Sequence, residues 1–121
     1  MSGKGLLYVQ TSGLDAPDRV YAPFILAIEA VATGRKATIY FFLKGVTIMR
    51  KGASEKTKLE GYPSLDQIVD QAVRSGVVLE VCEQSCMALG LRKQDLVDSV
   101  TIVGAPTLND RILDADGILS F

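Results

Sequence analysis

Histidine and tryptophan are absent from the whole 121-residue sequence. Without histidine there is no imidazole general base and no Ser-His-Asp or Cys-His arrangement, and the commonest zinc ligand is missing. Cysteine is scarce too: only Cys82 and Cys86 occur, four positions apart. So short a loop constrains an unfolded chain least, so the pair is no framework of the kind that staples small secreted domains, and both are expected to be thiols. Two thiols also fall short of a tetrahedral metal site, and no metal or other cofactor is expected.

Long apolar runs are missing as well. The run Gly5 to Val9 that follows Met1-Ser2-Gly3-Lys4 lacks the length of a signal h-region and has no small-residue cleavage site. No other run approaches the roughly 20 residues that cross a bilayer. A soluble cytoplasmic protein with no membrane partner is therefore expected. The 13 basic and 14 acidic residues leave a net charge of −1 and form no basic stripe, which argues against nucleic acid as a partner.

What the sequence does have is apolar character, 48% hydrophobic residues with a mean hydropathy of +0.25. That is enough for one core, and the length is too short for two domains of usual size, so a single domain over residues 1–121 is expected. The hydropathy is high for a small monomer and points to association, since large exposed apolar patches mark interfaces.

Strand and helix patterns alternate. Gly5 to Gln10 reads as a buried strand ending in a Thr11-Ser12-Gly13 loop. Val20, Phe24, Ile28 and Val31 recur at helical steps behind Pro17, with Gly34 as the stop and Pro23 as a source of a kink. Lys36 to Leu43 is a nearly continuous apolar run rich in β-branched and aromatic residues, suited to a central strand, with Tyr40, Phe41 and Phe42 in the core. Lys44-Gly45 turns into a short helix from Val46 to Arg50. The polar stretch Lys51 to Gly61 reads as a mobile loop, the best candidate for a lid or docking segment, with Lys51, Lys56 and Lys58 solvated.

Ser64 opens a second long helix with Leu65, Ile68, Val69, Ala72 and Val73 on one face, closed by Gly76. A strand from Val77 to Val81 follows. Helical patterns cover Glu83 to Leu89, ended by Gly90, then Arg92 to Val97. Val100 to Val103 and Gly117 to Phe121 read as strands on either side of a helix from Pro106 to Leu113. Such alternation predicts a flavodoxin-like, three-layer α/β/α fold with a mostly parallel sheet of about five strands.

Ligands of open α/β sheets collect at the carboxyl ends of the strands. Here that edge carries Gln10 to Gly13, Leu43 to Val46, Cys82 to Ser85 and Gly104 to Thr107. Cys82 has the clearest chemistry. A thiol at a helix start faces unbonded N–H groups that favour thiolate, opposed by Glu83 if that side chain turns inward. Cys86 shares its helix face at the i, i+4 spacing, as a second thiol able to pass sulfur or close a strained disulfide, or else as a plain core residue. Candidate substrate-binding residues are Thr11, Ser12, Gly13, Lys44, Gly45, Gln84 and Ser85. Lys44 would hold an anionic sulfur species if it lies near Cys82, and otherwise is a solvated loop lysine. The Thr11-Ser12-Gly13 loop lacks a phosphate-cradling pattern and reads first as a plain turn.

The run Val81-Cys82-Glu83-Gln84-Ser85-Cys86-Met87-Ala88-Leu89-Gly90-Leu91 resembles the signature of the DsrE/DsrF/TusD family, a cysteine ending a strand before a short helix closed by glycine. The opening strand with its Thr-Ser-Gly loop and the segment Tyr40-Phe41-Phe42-Leu43-Lys44-Gly45-Val46 resemble the same family, in the same order. The resemblance implies a sulfur carrier or sulfurtransferase that holds sulfane sulfur on Cys82, as a persulfide or thiosulfonate, and passes it to a partner thiol. It also implies donor and acceptor proteins such as a rhodanese or a TusA-like carrier, and assembly as a homo-oligomer, with a trimer or hexamer among the arrangements. Cys86 is extra relative to the simplest members. Because fold does not dictate activity, a non-catalytic oligomeric subunit or regulatory module with structural cysteines stands as the alternative.

Overall fold

A computed structural model describes residues 5–121. The reading of Met1-Ser2-Gly3-Lys4 as a start without a signal segment lies outside them. The described chain runs β1 (Gly5–Gln10), α1 (Pro17–Ala32), β2 (Lys36–Phe41), α2 (Leu65–Ser75), β3 (Val78–Cys82), α3 (Glu83–Ala88), β4 (Thr101–Val103), α4 (Ala105–Asp114) and β5 (Gly117–Ser120). Short 3-10 helices occupy Leu43–Met49, Ser54–Lys56 and Lys93–Asp95. None of the described helices is long and apolar enough to cross a membrane.

All five strands are parallel and lie in the order β4-β3-β2-β1-β5. The chain steps outward one strand at a time from β1 to β4, and α4 then carries it back to the free side of β1. The parallel three-layer architecture is the expected one. Its strand order differs from flavodoxin's 2-1-3-4-5 in where the single reversal falls, after β4 instead of after the second strand.

Alternation along each strand sorts the two faces. Phe41 of β2 packs on Phe24 of α1, ring centroids 6.0 Å apart, and α1 packs beside α2. Tyr40 and its register partner Glu80 on β3 point the other way, where Arg111 of α4 meets Glu80. Hence α1 and α2 cover one face and α4 the other. The apolar spacing of α1 and α2 puts Val20, Tyr21, Phe24, Ala27, Leu65, Ile68, Val69 and Ala72 against Ile39, Phe41, Leu79 and Val81. Each large side chain buried there contributes about 2–3 kcal/mol of transfer free energy. A single ten-residue helix cannot cover the opposite face, so Val78 and Ile118 stay partly bare.

Local expectations change in several places. The helix α1 continues through Pro23, and Val73 faces solvent rather than the core. The second strand stops at Phe41 instead of Leu43, because Leu43 adopts the left-handed region at φ 54° and turns the chain into the 3-10 helix Leu43–Met49. That bend is pinned from α3: the Leu43 N–H donates to the Ser85 hydroxyl at 2.8 Å. Lys51 to Gly61 is a largely exposed strap anchored at a few points. Ala53 is buried within it, the Leu65 N–H donates to the Thr57 carbonyl at 3.0 Å, and the Tyr21 hydroxyl donates to the Pro63 carbonyl at 2.7 Å. The expected helix from Arg92 to Val97 shrinks to the 3-10 turn Lys93–Asp95, because Leu96 turns extended to pair with Arg50 and the Val97 N–H donates to the Met49 carbonyl at 2.9 Å instead of continuing the helix.

Candidate functional site

The strands β3 and β4 hand over to opposite faces. Cys86 of α3 shares a groove with Ile102, on the α1/α2 side, while β4 turns into α4 on the other side. A crevice at the carboxyl ends of such a strand pair is where α/β sheets bind ligands. Cys82 sits there, the last residue of β3 and the N-cap of α3.

The sulfur of Cys82 is enclosed, with 0% of the residue exposed. It accepts the Ser85 N–H at 3.4 Å, one of the orphan donors of the helix start. Its thiol donates to the Gln84 side-chain oxygen at 3.7 Å. The same oxygen accepts the Ala105 N–H at 2.9 Å, so Gln84 ties the start of α3 to the start of α4 across the sulfur. Glu83 stays in solvent at the groove rim and does not turn inward.

Cys86, one turn on, is buried as well, and both cysteines are free. Burial first, and the charge of Cys82 second, raise the Cys86 thiol above its ordinary value. Cys86 borders a groove of about 630 Å³ lined by Glu83, Met87, Gly90, Leu91, Arg92, Lys93 and Ile102. The groove reaches Cys86 but not Cys82. Three exposed apolar side chains ring this edge: Leu43 (55%), Met87 (73%) and Leu89 (49%).

Tyr40 is part of this site although its strand reads as core. Its hydroxyl donates to the Gly104 carbonyl at 2.9 Å and lies within hydrogen-bonding reach of Cys82. Burial first, then the charge and hydrogen bonding of Cys82, raise the phenol well above its ordinary value. The buried Glu80 carboxylate, two residues before Cys82, is held by the Arg111 guanidinium at 2.6 and 2.9 Å. No local sequence signal marks Tyr40: it shares the face of Glu80 and Cys82 through the register that pairs it with Glu80, since side chains on one face recur every two residues.

Cys82, Gln84, Ser85 and Cys86 are thus brought together, with Ser85 engaged in holding Leu43. The other candidates form a separate cluster. The Thr11 N–H, the Thr11 hydroxyl and the Ser12 N–H all point to the Phe121 carbonyl, at 2.7, 2.9 and 3.2 Å, so these donors are already taken. Gly13 lies under the Lys44 side chain, whose ammonium pairs with Asp15 at 3.1 Å instead of reaching the sulfur. That hydrogen bond holds the exposed Asp15 carboxyl below its usual range. Gly45 packs so closely on the end of β1 that an added Cβ would fall 2.0 Å from the Gln10 carbonyl oxygen. Among the described residues no group of three or more acidic, thiol or imidazole side chains converges on a metal position.

A parallel α/β protein with an enclosed thiol capping a short helix at the strand edge is the class that this fold and site define. The chain belongs to the DsrE/DsrF-like family, whose model matches residues 4–121. The uncharacterized protein MJ0760 of Methanocaldococcus jannaschii is 30% identical over 102 residues, which are 84% of this chain and 37% of that protein, so the chain spans little more than a third of that relative. A second uncharacterized protein of the same organism, MJ0989, is 25% identical over 86% of this chain and 88% of its own length. Among solved structures, the ychN protein of E. coli superposes with a TM-score of 0.81 at 20% identity, covering 98% of this chain and 99% of that one. A protein of unknown function from Bacteroides thetaiotaomicron, BT1422, gives 0.74 at 16% identity, covering 98% and 95%. At these identities the structural likeness establishes the fold.

Proposed function

We propose that this protein is a cytoplasmic sulfur carrier that holds sulfane sulfur on Cys82 and hands it to a partner thiol. The observation that carries this reading is the seating of Cys82: a helix-capping thiol that accepts the Ser85 N–H, in a chain of a family related to sulfur relay. In loading, the Cys82 thiolate attacks the outer sulfur of a donor persulfide. A new S–S bond forms as the bond from that sulfur to the donor breaks, and the donor leaves as a thiolate that takes the proton. Delivery reverses the sense: an acceptor thiolate takes the outer sulfur and Cys82 leaves as thiolate, with no net oxidation and no cofactor. The Ser85 N–H is the donor available to the anionic sulfur, and the neighbouring Tyr40 hydroxyl is spent on the Gly104 carbonyl. Leu43, Met87 and Leu89 form the apolar ground on which a donor or acceptor protein would land, and Leu113 (83% exposed) with Ile118 supports assembly into a homo-oligomer.

The complete burial of Cys82 favours a second reading, a non-catalytic subunit or regulatory module with structural thiols. A chase experiment separates the two. The protein is incubated with polysulfide, freed of excess donor and mixed with a small acceptor thiol, and its intact mass is followed. The carrier reading expects a sulfur adduct that the acceptor removes and that Cys82→Ser never gains. An adduct of the same size on Cys82→Ser contradicts it.

A further inference from the structure

The thiol that does the chemistry is sealed, so something has to move before sulfur can be added to it. Most of the seal is tied down twice. Tyr40 is fully buried and bonded to the Gly104 carbonyl, and Ser85 is buried with its hydroxyl on the Leu43 N–H and its own N–H on the sulfur. Gln84 differs. It is an exposed residue, and only the reach of its side-chain oxygen to the Cys82 thiol and the Ala105 N–H keeps it over the sulfur. Both contacts can be replaced by water when the side chain swings out, so this is the least costly part of the seal to open.

We propose that Gln84 is the positioning residue that gates Cys82. With its oxygen on the Ala105 N–H the sulfur is covered, and with the side chain swung into solvent the sulfur is open to a donor. This rests on the reading of Cys82 as the sulfur-carrying thiol. An added outer sulfur needs the space that the Gln84 amide fills, so Gln84 and the cargo exclude one another. The empty protein keeps its thiol from small oxidants and foreign thiols, and the loaded protein has the amide displaced and the Ala105 N–H open to water.

Alkylation by iodoacetamide tests the gate without any sulfur donor, so its result is independent of whether sulfur loading succeeds. The rate at each cysteine is followed by peptide mass in the parent, Gln84→Ala and Gln84→Glu at neutral pH, where the Cys82 thiol still donates to residue 84, with each rate divided by the thiolate fraction read from that variant's own pH profile. Gln84→Ala is expected to speed labelling of Cys82 about tenfold, the factor that one hydrogen bond of ordinary strength carries, and to leave Cys86 at the parent rate. Gln84→Glu keeps the acceptor for the Ala105 N–H and is expected to label near the parent rate. The gate is overturned if Gln84→Ala labels Cys82 at the parent rate, if Cys86 accelerates equally, or if Gln84→Glu is as fast as Gln84→Ala. Amide exchange at Ala105 gives a second readout: faster exchange in Gln84→Ala supports the latch, and unchanged exchange contradicts it.

Discussion

Arg111 of α4 closes on Glu80 of β3 with two hydrogen bonds, 2.9 and 2.6 Å, and leaves the carboxylate side chain only 4% exposed. This ion pair fixes α4 over the sheet two residues below Cys82, and so fixes the Gly104 carbonyl and Ala105 N–H that border the sulfur. Removing the guanidinium strands a buried charge, so Arg111→Ala is expected to cost about 3 kcal/mol, measured as the loss in urea unfolding free energy. The double variant Glu80→Leu/Arg111→Met, with no charge left to strand, should recover most of that loss.

Gly45 is the position where the close approach of the chain admits no side chain. Its Cβ would overlap the Gln10 carbonyl at 2.0 Å, and that carbonyl also accepts the Phe42 N–H at 2.9 Å. Gly45→Ala is expected to destabilise by about 3 kcal/mol through backbone displacement, seen as a lower melting temperature. A comparable loss should not follow Gly52→Ser, where open space surrounds the position and only its φ of 85° is strained.

Alkaline pH should weaken the fold. Burial and the nearby Cys82 charge raise the Cys86 thiol, so between the ordinary thiol value of 9.0 and the raised one the folded state keeps a proton that the unfolded state has lost. Stability contributed this way is complete below about pH 9 and declines as pH rises through the folded value. Tyr40, raised for the same first cause, steepens the decline at higher pH. Urea midpoints taken from neutral to alkaline pH should fall, and Cys86→Ala should fall less steeply over the first part of the range.

Tyr40→Phe keeps the ring and removes the hydroxyl that bonds Gly104 and faces Cys82. It is expected to cost about 1 kcal/mol of stability and to shorten the lifetime of sulfur on Cys82, measured by the chase with an acceptor thiol. A variant that retains sulfur as long as the parent would remove Tyr40 from the site.

Local pattern made the fold and the position of Cys82 readable: each strand is a short apolar run, each long helix carries a 3.6-residue stripe, and a strand handing over to a helix places its junction residue at the carboxyl edge. Long-range pairing was not readable. Lys44 finds Asp15 across 29 positions and leaves the sulfur alone, and the Thr11 loop spends its donors on Phe121, 110 positions away. Tyr40 was hidden because a run apolar on both faces masks the period of two, so a site tyrosine looks like its core neighbours Phe41 and Ile39. The strap from Lys51 to Gly61 looks mobile by composition, and its anchors join positions that composition does not link, the Lys51 N–H to the Asp95 carbonyl and the Leu65 N–H to the Thr57 carbonyl.

The most direct test of the central claim is to locate the added sulfur. After incubation with polysulfide and rapid alkylation, the peptide spanning Ser75 to Arg92, which holds both cysteines, is fragmented in the mass spectrometer. The account predicts one extra sulfur atom on Cys82, with Cys86 carrying only the alkyl group or none. Sulfur confined to Cys86, or absent from both, would contradict it.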